Sequence, residues 1–369
     1  MKKTNWQLFR FTFVFFNSQA TVFLISALTS SSNYQGWLGI VLGSLLSIII
    51  ILCLVFIDKY SRHTPWIQFG KHVFGKWIHF FFITLLLLWC IYYASYDIQS
   101  FVLFFGVNYL RETPFWFLQL IISLAILFII RLGISTIIYI ADGMFILIFI
   151  TLFLLFYLFT FDINLDMIPA FYHYHDPKLI FTDSLTVLSW VGEWVVFLFI
   201  LPEIQMKKGI FKNLFIGQIT ISCMVFFGWL LTLLNFGPEL AKSFQIPYLE
   251  MIRSIDTNNL LAKIDPLLIG VWTSSMLIHS SCLLFAAYKC ILYLSKNKGN
   301  NFIPFFVVAL SNVIALYYVK HITTYQEHFY SFNLVLVWLI VELIPLYYLL
   351  GMVLKRKKLF IKSRKKETS

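Results

Sequence analysis

Positive charge alternates along this chain between long apolar stretches, and that alternation leaves few folds open. A helix needs roughly 20 apolar residues to cross a bilayer, and loops on the cytoplasmic side collect Lys and Arg. Ten such stretches lie at 7–28, 37–57, 80–105, 115–130, 134–161, 181–202, 213–236, 266–292, 302–319 and 331–354. With the N-terminus inside, the cytoplasmic side carries 22 of the 28 Lys and Arg, and the outer side six. Ten of the 17 acidic residues fall outside. The pattern predicts an all-α, multi-pass integral membrane protein. One ten-helix domain spans 1–354, and both termini are cytoplasmic.

Composition supports this. Hydrophobic residues make up 60% of the chain and charged ones 12%, unlike any ordinary soluble domain. The net charge of +11 could suggest nucleic acid, but eight of the positive residues crowd Lys355 to Lys366. That basic cytoplasmic tail, 355–369, is expected to lie against anionic lipid headgroups. No segment between spans is long enough for a folded basic domain, so no nucleic-acid partner is expected. The cysteines (Cys53, Cys90, Cys223, Cys282, Cys290) lie inside spans without a CxxC pair, so neither disulfide nor zinc site is expected. The first apolar stretch is too long for a signal peptide and lacks a small-residue cleavage site, so it is expected to stay as an anchor. Gly-rich nucleotide loops, GxSxG and HExxH are absent from the sequence. Neither an enzyme nor a cofactor is expected.

Ten spans divide into five plus five. A unit with an odd number of crossings ends on the side opposite its start, so a duplicated five-span unit must be inverted relative to its partner. Many secondary transporters are built this way, with spans one and six interrupted at mid-membrane. A LeuT-like fold is therefore the expectation. The outer segment Gly237 to Asp265 carries Phe244, Tyr248, Leu249, Ile252 and Ile255 at helical spacing, which predicts a short helix over the outer mouth.

Ionisable groups in hydrocarbon cost about 2.5–3.5 kcal/mol on insertion scales, so each needs a reason. Glu193 sits at the centre of span six beside Gly192, whose tolerance of left-handed dihedrals would let the helix open. A break there frees backbone groups for a small polar ligand. The structural alternative is a protonated Glu bonded between helices. Asn17, Ser18, Gln19 and Thr21 form a polar run in span one that either matches this break or packs helices closely. In span eight, Ser275 and His279 are four apart and share a face. Tyr92, Tyr93, Tyr96 and Asp97 of span three are placed to close one side of a cavity, with Tyr93 and Tyr96 as the candidate contacts. Asp97 lies nearer the outer end of its span. Glu342, three residues before Pro345, reads as structural, and the His173, His175, Asp176 group reads as a solvated loop rather than a metal site.

These residues resemble the B subunits of spore germinant receptors, endospore germination permeases of the amino acid–polyamine–organocation transporter superfamily. The most specific stretch is Pro247, Tyr248, Leu249, Glu250, Met251, Ile252, Arg253, Ser254 and Ile255, followed by Lys263, Ile264, Asp265 and Trp272. Arg131 to Ile140 with Gly133, Gly192 and Glu193 with Pro202, and Gly36 and Trp37 to Gly43 are similar to further family patterns. One departure is that the family often has a glycine at the centre of span one, where this chain has Asn17, Ser18 and Gln19. The resemblance implies a ten-helix fold in the spore inner membrane. It also implies an A-type membrane subunit and a C-type lipoprotein as partners, and a small nutrient germinant as ligand. A proton-coupled secondary amino acid transporter is the competing reading, because both need the same cavity.

Overall fold

The computed structural model describes residues 4–61, 64–173, 175–204, 209–244, 246–254, 265–296, 301–321 and 331–367. The side chains of Gln19, Thr21, Asp265, Val319, Lys320 and those after Lys355 lie outside that description. Among the described residues eight helices are long and apolar enough to cross a membrane: Asn5–Ser31, Asn33–Ser61, Lys76–Asn108, Phe115–Leu132, Ile134–Leu158, Pro177–Ile204, Ile210–Ala241 and Pro266–Leu294. They are spans one to eight. Ile303–Tyr318, a shorter apolar helix, is span nine, and the bent pair Phe332–Glu342 and Ile344–Lys355 is span ten. The chain is an integral, multi-pass membrane protein.

Burial separates the centre from the rim. In span one 94% of the most apolar stretch is buried and in span six 89%, against 33% in spans four and five. The latter present Leu124, Phe128, Ile146 and Ile150 outward, as a lipid-facing surface does.

Span six owes its position to span two. Gly36, Gly39 and Gly43 recur every three to four residues and so line one face of span two. A Cβ at Gly39 would stand 2.5 Å from the Cβ of Asp183, and one at Gly43 2.7 Å from the Cβ of Val187. The two helices therefore pack nearly backbone to backbone. The next residue on the stripe, Ser47, reaches the point where span six opens. Asp176 starts that span by accepting from the Lys178 N–H (2.9 Å), with Pro177 in the first turn. This accounts for Asp176 as a helix cap.

Both central spans depart from a regular α-helix, in different ways. Span six is helical over Pro177–Val191, leaves helical geometry at Gly192 and Glu193, and resumes through a 3-10 turn, Trp194–Val196, into Phe197–Ile204. Gly192 is not left-handed as expected: its φ is −107°. Glycine is required there because a Cβ would meet the Leu188 carbonyl at 2.1 Å. Span one stays helical throughout. Its interruption is a π-helical turn, Ala20–Leu24, between Asn5–Gln19 and Ile25–Ser31. A π turn shifts the hydrogen-bond register without Gly or Pro, and such bulges are frequent at functional sites.

Span ten bends by 40° at Leu343. Pro345 cannot donate to the Val341 carbonyl, and its ring crowds it; the Leu343 N–H bonds the Leu339 and Val341 carbonyls instead. Span seven kinks at Gly237 (φ +69°) before Pro238 but continues to Ser243. The short helix expected over the outer mouth is Pro247–Ser254, on the side away from the termini, with Tyr248, Leu249 and Ile252 buried. Phe244 belongs to the end of the preceding helix, and Ile255 lies outside the described residues.

The Gly43 contact makes a direct test. Gly43→Leu would drive a side chain into Val187 and should destabilise the protein by about 1–3 kcal/mol, seen as a lower melting temperature in detergent. Gly270→Ala, with nothing within 4 Å of the added carbon, should leave it unchanged.

Candidate functional site

Where span six opens, three spans bring acidic and basic side chains into contact. His279 of span eight sits between two carboxyls. Its Nδ1 is 2.7 Å from Asp97 Oδ2 of span three, and its Nε2 is 2.6 Å from Glu193 Oε2. The Tyr93 hydroxyl donates to Glu193 Oε1 at 2.6 Å, and Ser280 Oγ donates to Asp97 Oδ2 at 2.7 Å. All five residues are buried. Each His–carboxyl contact needs one proton between its atoms. A neutral imidazole supplies only one, so the second comes from an imidazolium or from a protonated carboxyl. The chain Asp97–His279–Glu193 can therefore pass a proton along its length without moving a heavy atom far.

The break itself is held from span two. Ser47 Oγ donates to the Val191 carbonyl (2.8 Å) that the lost helical turn leaves open, and accepts from the Trp194 indole N–H (2.7 Å). The Trp194 N–H bonds the Gly192 carbonyl at 2.6 Å. Aromatic rings exclude water from this layer. Phe15 lies 4.7 Å from the His279 ring and Tyr93 5.2 Å from it, and Phe16 packs on Trp194 at 4.6 Å.

The sequence-derived candidates divide into those that meet here and those that do not. Glu193, His279, Tyr93 and Gly192 come together. Asn17 Nδ2 donates to Ser275 Oγ at 2.9 Å, one helical turn from His279, and ties the polar run of span one to the same face of span eight. Ser18 turns to its own helix, donating to the Phe15 carbonyl at 2.9 Å. Gln19 and Thr21 lie in the helical backbone, but their side chains are outside the described residues. Tyr96 faces elsewhere: its hydroxyl is 3.0 Å from that of Tyr92, which lies 2.9 Å from the Tyr318 hydroxyl of span nine.

Sequence reasoning set Asp97 beside the span-three tyrosines on the cavity wall but did not make it a candidate contact, since it lies nearer the outer end of the span. The signal for it was the four-residue spacing from Tyr93, which puts both on one helix face. Ser280, next to His279, was passed over with the other span-eight hydroxyls.

Access is uneven. Trp272, Phe104 and Phe23 each lie about two turns from the cluster, roughly 10 Å towards the side away from the termini. Their rings pack together, with Trp272 4.7 Å from Phe104 and 5.9 Å from Phe23. On the side of the termini a vestibule of about 530 Å³ is lined by Gln68, Lys71, Glu203, Lys289 and Tyr293. Arg10 and Asp142 (2.7 Å) tie spans one and five at that side, and the Lys355 amine donates to the His72 carbonyl.

Comparison with known proteins gives this arrangement a context. In its fold the chain is similar to the transporter Mhp1, of the nucleobase-cation-symport-1 family, solved in a closed conformation with bromovinylhydantoin bound. The TM-score is 0.63 at 14% identity, covering 86% of this chain and 72% of that one. That likeness assigns the ten-helix LeuT-like fold expected from the five-plus-five division. In sequence it is 22% identical over 281 residues to spore germination protein XB of Bacillus anthracis, covering 76% of this chain and 78% of that protein. The spore permease family, described as spore germination protein, matches residues 4–326. The chain belongs to the spore permease family: it is a germination-related, permease-like membrane protein.

Proposed function

We propose that this chain is the nutrient-sensing B subunit of a spore germinant receptor. It takes a small germinant, an amino acid first among the candidates, into the layer where spans one, three, six and eight meet. The observation that carries this reading is the buried Asp97–His279–Glu193 chain at the open turn of span six. A proton-sharing set is sensitive to any polar group placed beside it, and it couples three helices at one point. A germinant that binds one arrangement of these helices more tightly shifts the population toward it. That change would then reach an A-type membrane subunit and a C-type lipoprotein. In this reading 1–354 form one membrane domain in the spore inner membrane, both termini face the cytoplasm, and the tail 355–369 meets lipid. The chain performs no covalent chemistry.

A second reading has its own support. The fold is shared with a transporter, and the buried carboxyl–imidazole chain is of a kind that can hold a coupling proton. A proton-coupled amino acid transporter would use His279 and Glu193 as its proton site.

Replacing Glu193 with Gln keeps the shape but removes one acid from the chain. In spores, Glu193→Gln should raise the nutrient concentration for half-maximal optical-density loss by about tenfold or more, with normal amounts of protein in the membrane. Wild-type sensitivity would assign Glu193 to packing alone. Purified chain in sealed vesicles should bind labelled amino acid without accumulating it. Saturable, proton-driven uptake would establish the carrier instead.

A further inference from the structure

Two helix breaks approach one another in this fold. Span six opens at Gly192 and Glu193, and span ten bends at Leu343, immediately after Glu342. Glu342 is fully buried, and among the described residues neither of its carboxyl oxygens has a hydrogen-bond partner. It lies within electrostatic reach of Glu193, and Tyr93 is within reach of both. Trp338, four residues earlier and so on the same face, stacks on Tyr93 at 4.3 Å. This face of span ten therefore looks toward the Glu193 side of the cluster.

The charges in this core do not balance. Asp97, Glu193 and Glu342 are three acids against one imidazole, and among the described residues no Lys or Arg is buried. Hydrogen bonds from His279, Tyr93 and Ser280 satisfy Asp97 and Glu193. They leave Glu342 over. A buried carboxyl with nothing donating to it is unfavourable even when protonated, and more so when ionised. What would complete it is small and positively charged, and reaches oxygens from more than one direction.

We propose that Glu342 anchors a compact monocation between the bend of span ten and the open turn of span six. Its source is the ammonium group of an amino-acid germinant or an alkali cation. The first source rests on the nutrient-receptor reading above; the second does not. Bound there, a single positive charge lies near both Glu342 and Glu193 and favours the arrangement that keeps the two breaks close. Span ten thereby joins the elements that a ligand can set.

The test uses the full-length protein in lipid nanodiscs. Its melting temperature is followed with amino acids, with the matching carboxylic acids that lack the amine (alanine against propionate, leucine against 4-methylpentanoate), and with sodium or potassium chloride against choline chloride. Stabilisation by amino acids but not their amine-free partners, with affinity at least about tenfold weaker in Glu342→Gln, supports the ammonium source. Stabilisation by sodium or potassium over choline, weakened likewise, supports the alkali source.

The wild type supplies a readout that does not depend on the variant folding. A hydrophobic carbodiimide that modifies buried carboxyls is applied, and the peptide containing Glu342 is measured by mass spectrometry. The cation that stabilises the protein should also protect Glu342. Stabilisation by neither arm, unchanged affinity in Glu342→Gln, or no protection of Glu342 overturns the proposal. A sugar or nucleoside that binds equally to wild type and variant would leave the receptor reading intact while removing this one. An alkali cation that needs Glu342 in a protein that binds no nutrient would do the reverse.

Discussion

A helix that opens inside hydrocarbon must find protein partners for the backbone groups it frees, because no water is there to take them. In this protein one hydroxyl meets part of that condition, beside the short backbone bonds within the turn itself. Ser47 takes the Val191 carbonyl and the Trp194 indole together, and it can do so only because span two lies against span six with no side chain between them. The glycine stripe of span two, the unwound residues at 192 and 193, and the inward aim of Glu193 are thus one arrangement. A larger residue at position 39 or 43 would move Ser47 away from the break. The carboxyl that the break presents would then lose its setting.

The consequence for function is that three helices share protons at a single point. Each carboxyl of the Asp97–His279–Glu193 chain sits on a different span from the imidazole. A change in the proton on one contact alters the other through the ring. Asn17 on Ser275 attaches the π-bulged span one to the same face of span eight. Polar groups in such a dry, ring-packed layer interact more strongly than they would in water, and the same dryness penalises any that are left unmatched. A small polar solute therefore has leverage here out of proportion to its size.

The multi-pass helical fold was legible because it is written in one dimension, as a series of long apolar stretches. The open turn of span six was legible too, since Gly192 and Glu193 side by side in an apolar helix admit few explanations. Span one was harder. A π turn needs neither Gly nor Pro, so the run at 17–21 gave no sign of which kind of interruption it would be. Depth along a span misjudged Asp97, because what matters is the helix face, and rotation is set by packing. The partner of the Tyr96 hydroxyl was not legible either, because its bond to Tyr92 depends on rotamers that packing sets. Glu342 read as structural from its place before Pro345; that its carboxyl is buried with no donor among the described residues depends on packing between spans, which the sequence does not spell out.

The inner and outer halves of the site bear differently on sensing and transport. A carrier must open in turn to each side, so its closing elements have to separate on both. A sensor needs only to read occupancy and report it. The rings of Trp272, Phe104 and Phe23 come from spans eight, three and one, the helices that also hold His279, Asp97 and Asn17 about two turns away. Cover and cluster are thus carried by the same three spans. The vestibule is walled by the inner half of span six and the end of span eight, through Glu203 and Lys289 at 3.9 Å. It lies on the same two helices as Glu193 and His279, on the face of the termini. The same lever that would gate a transport path can therefore carry a signal, and the difference between the two roles lies in whether the outer rings ever part fully from one another.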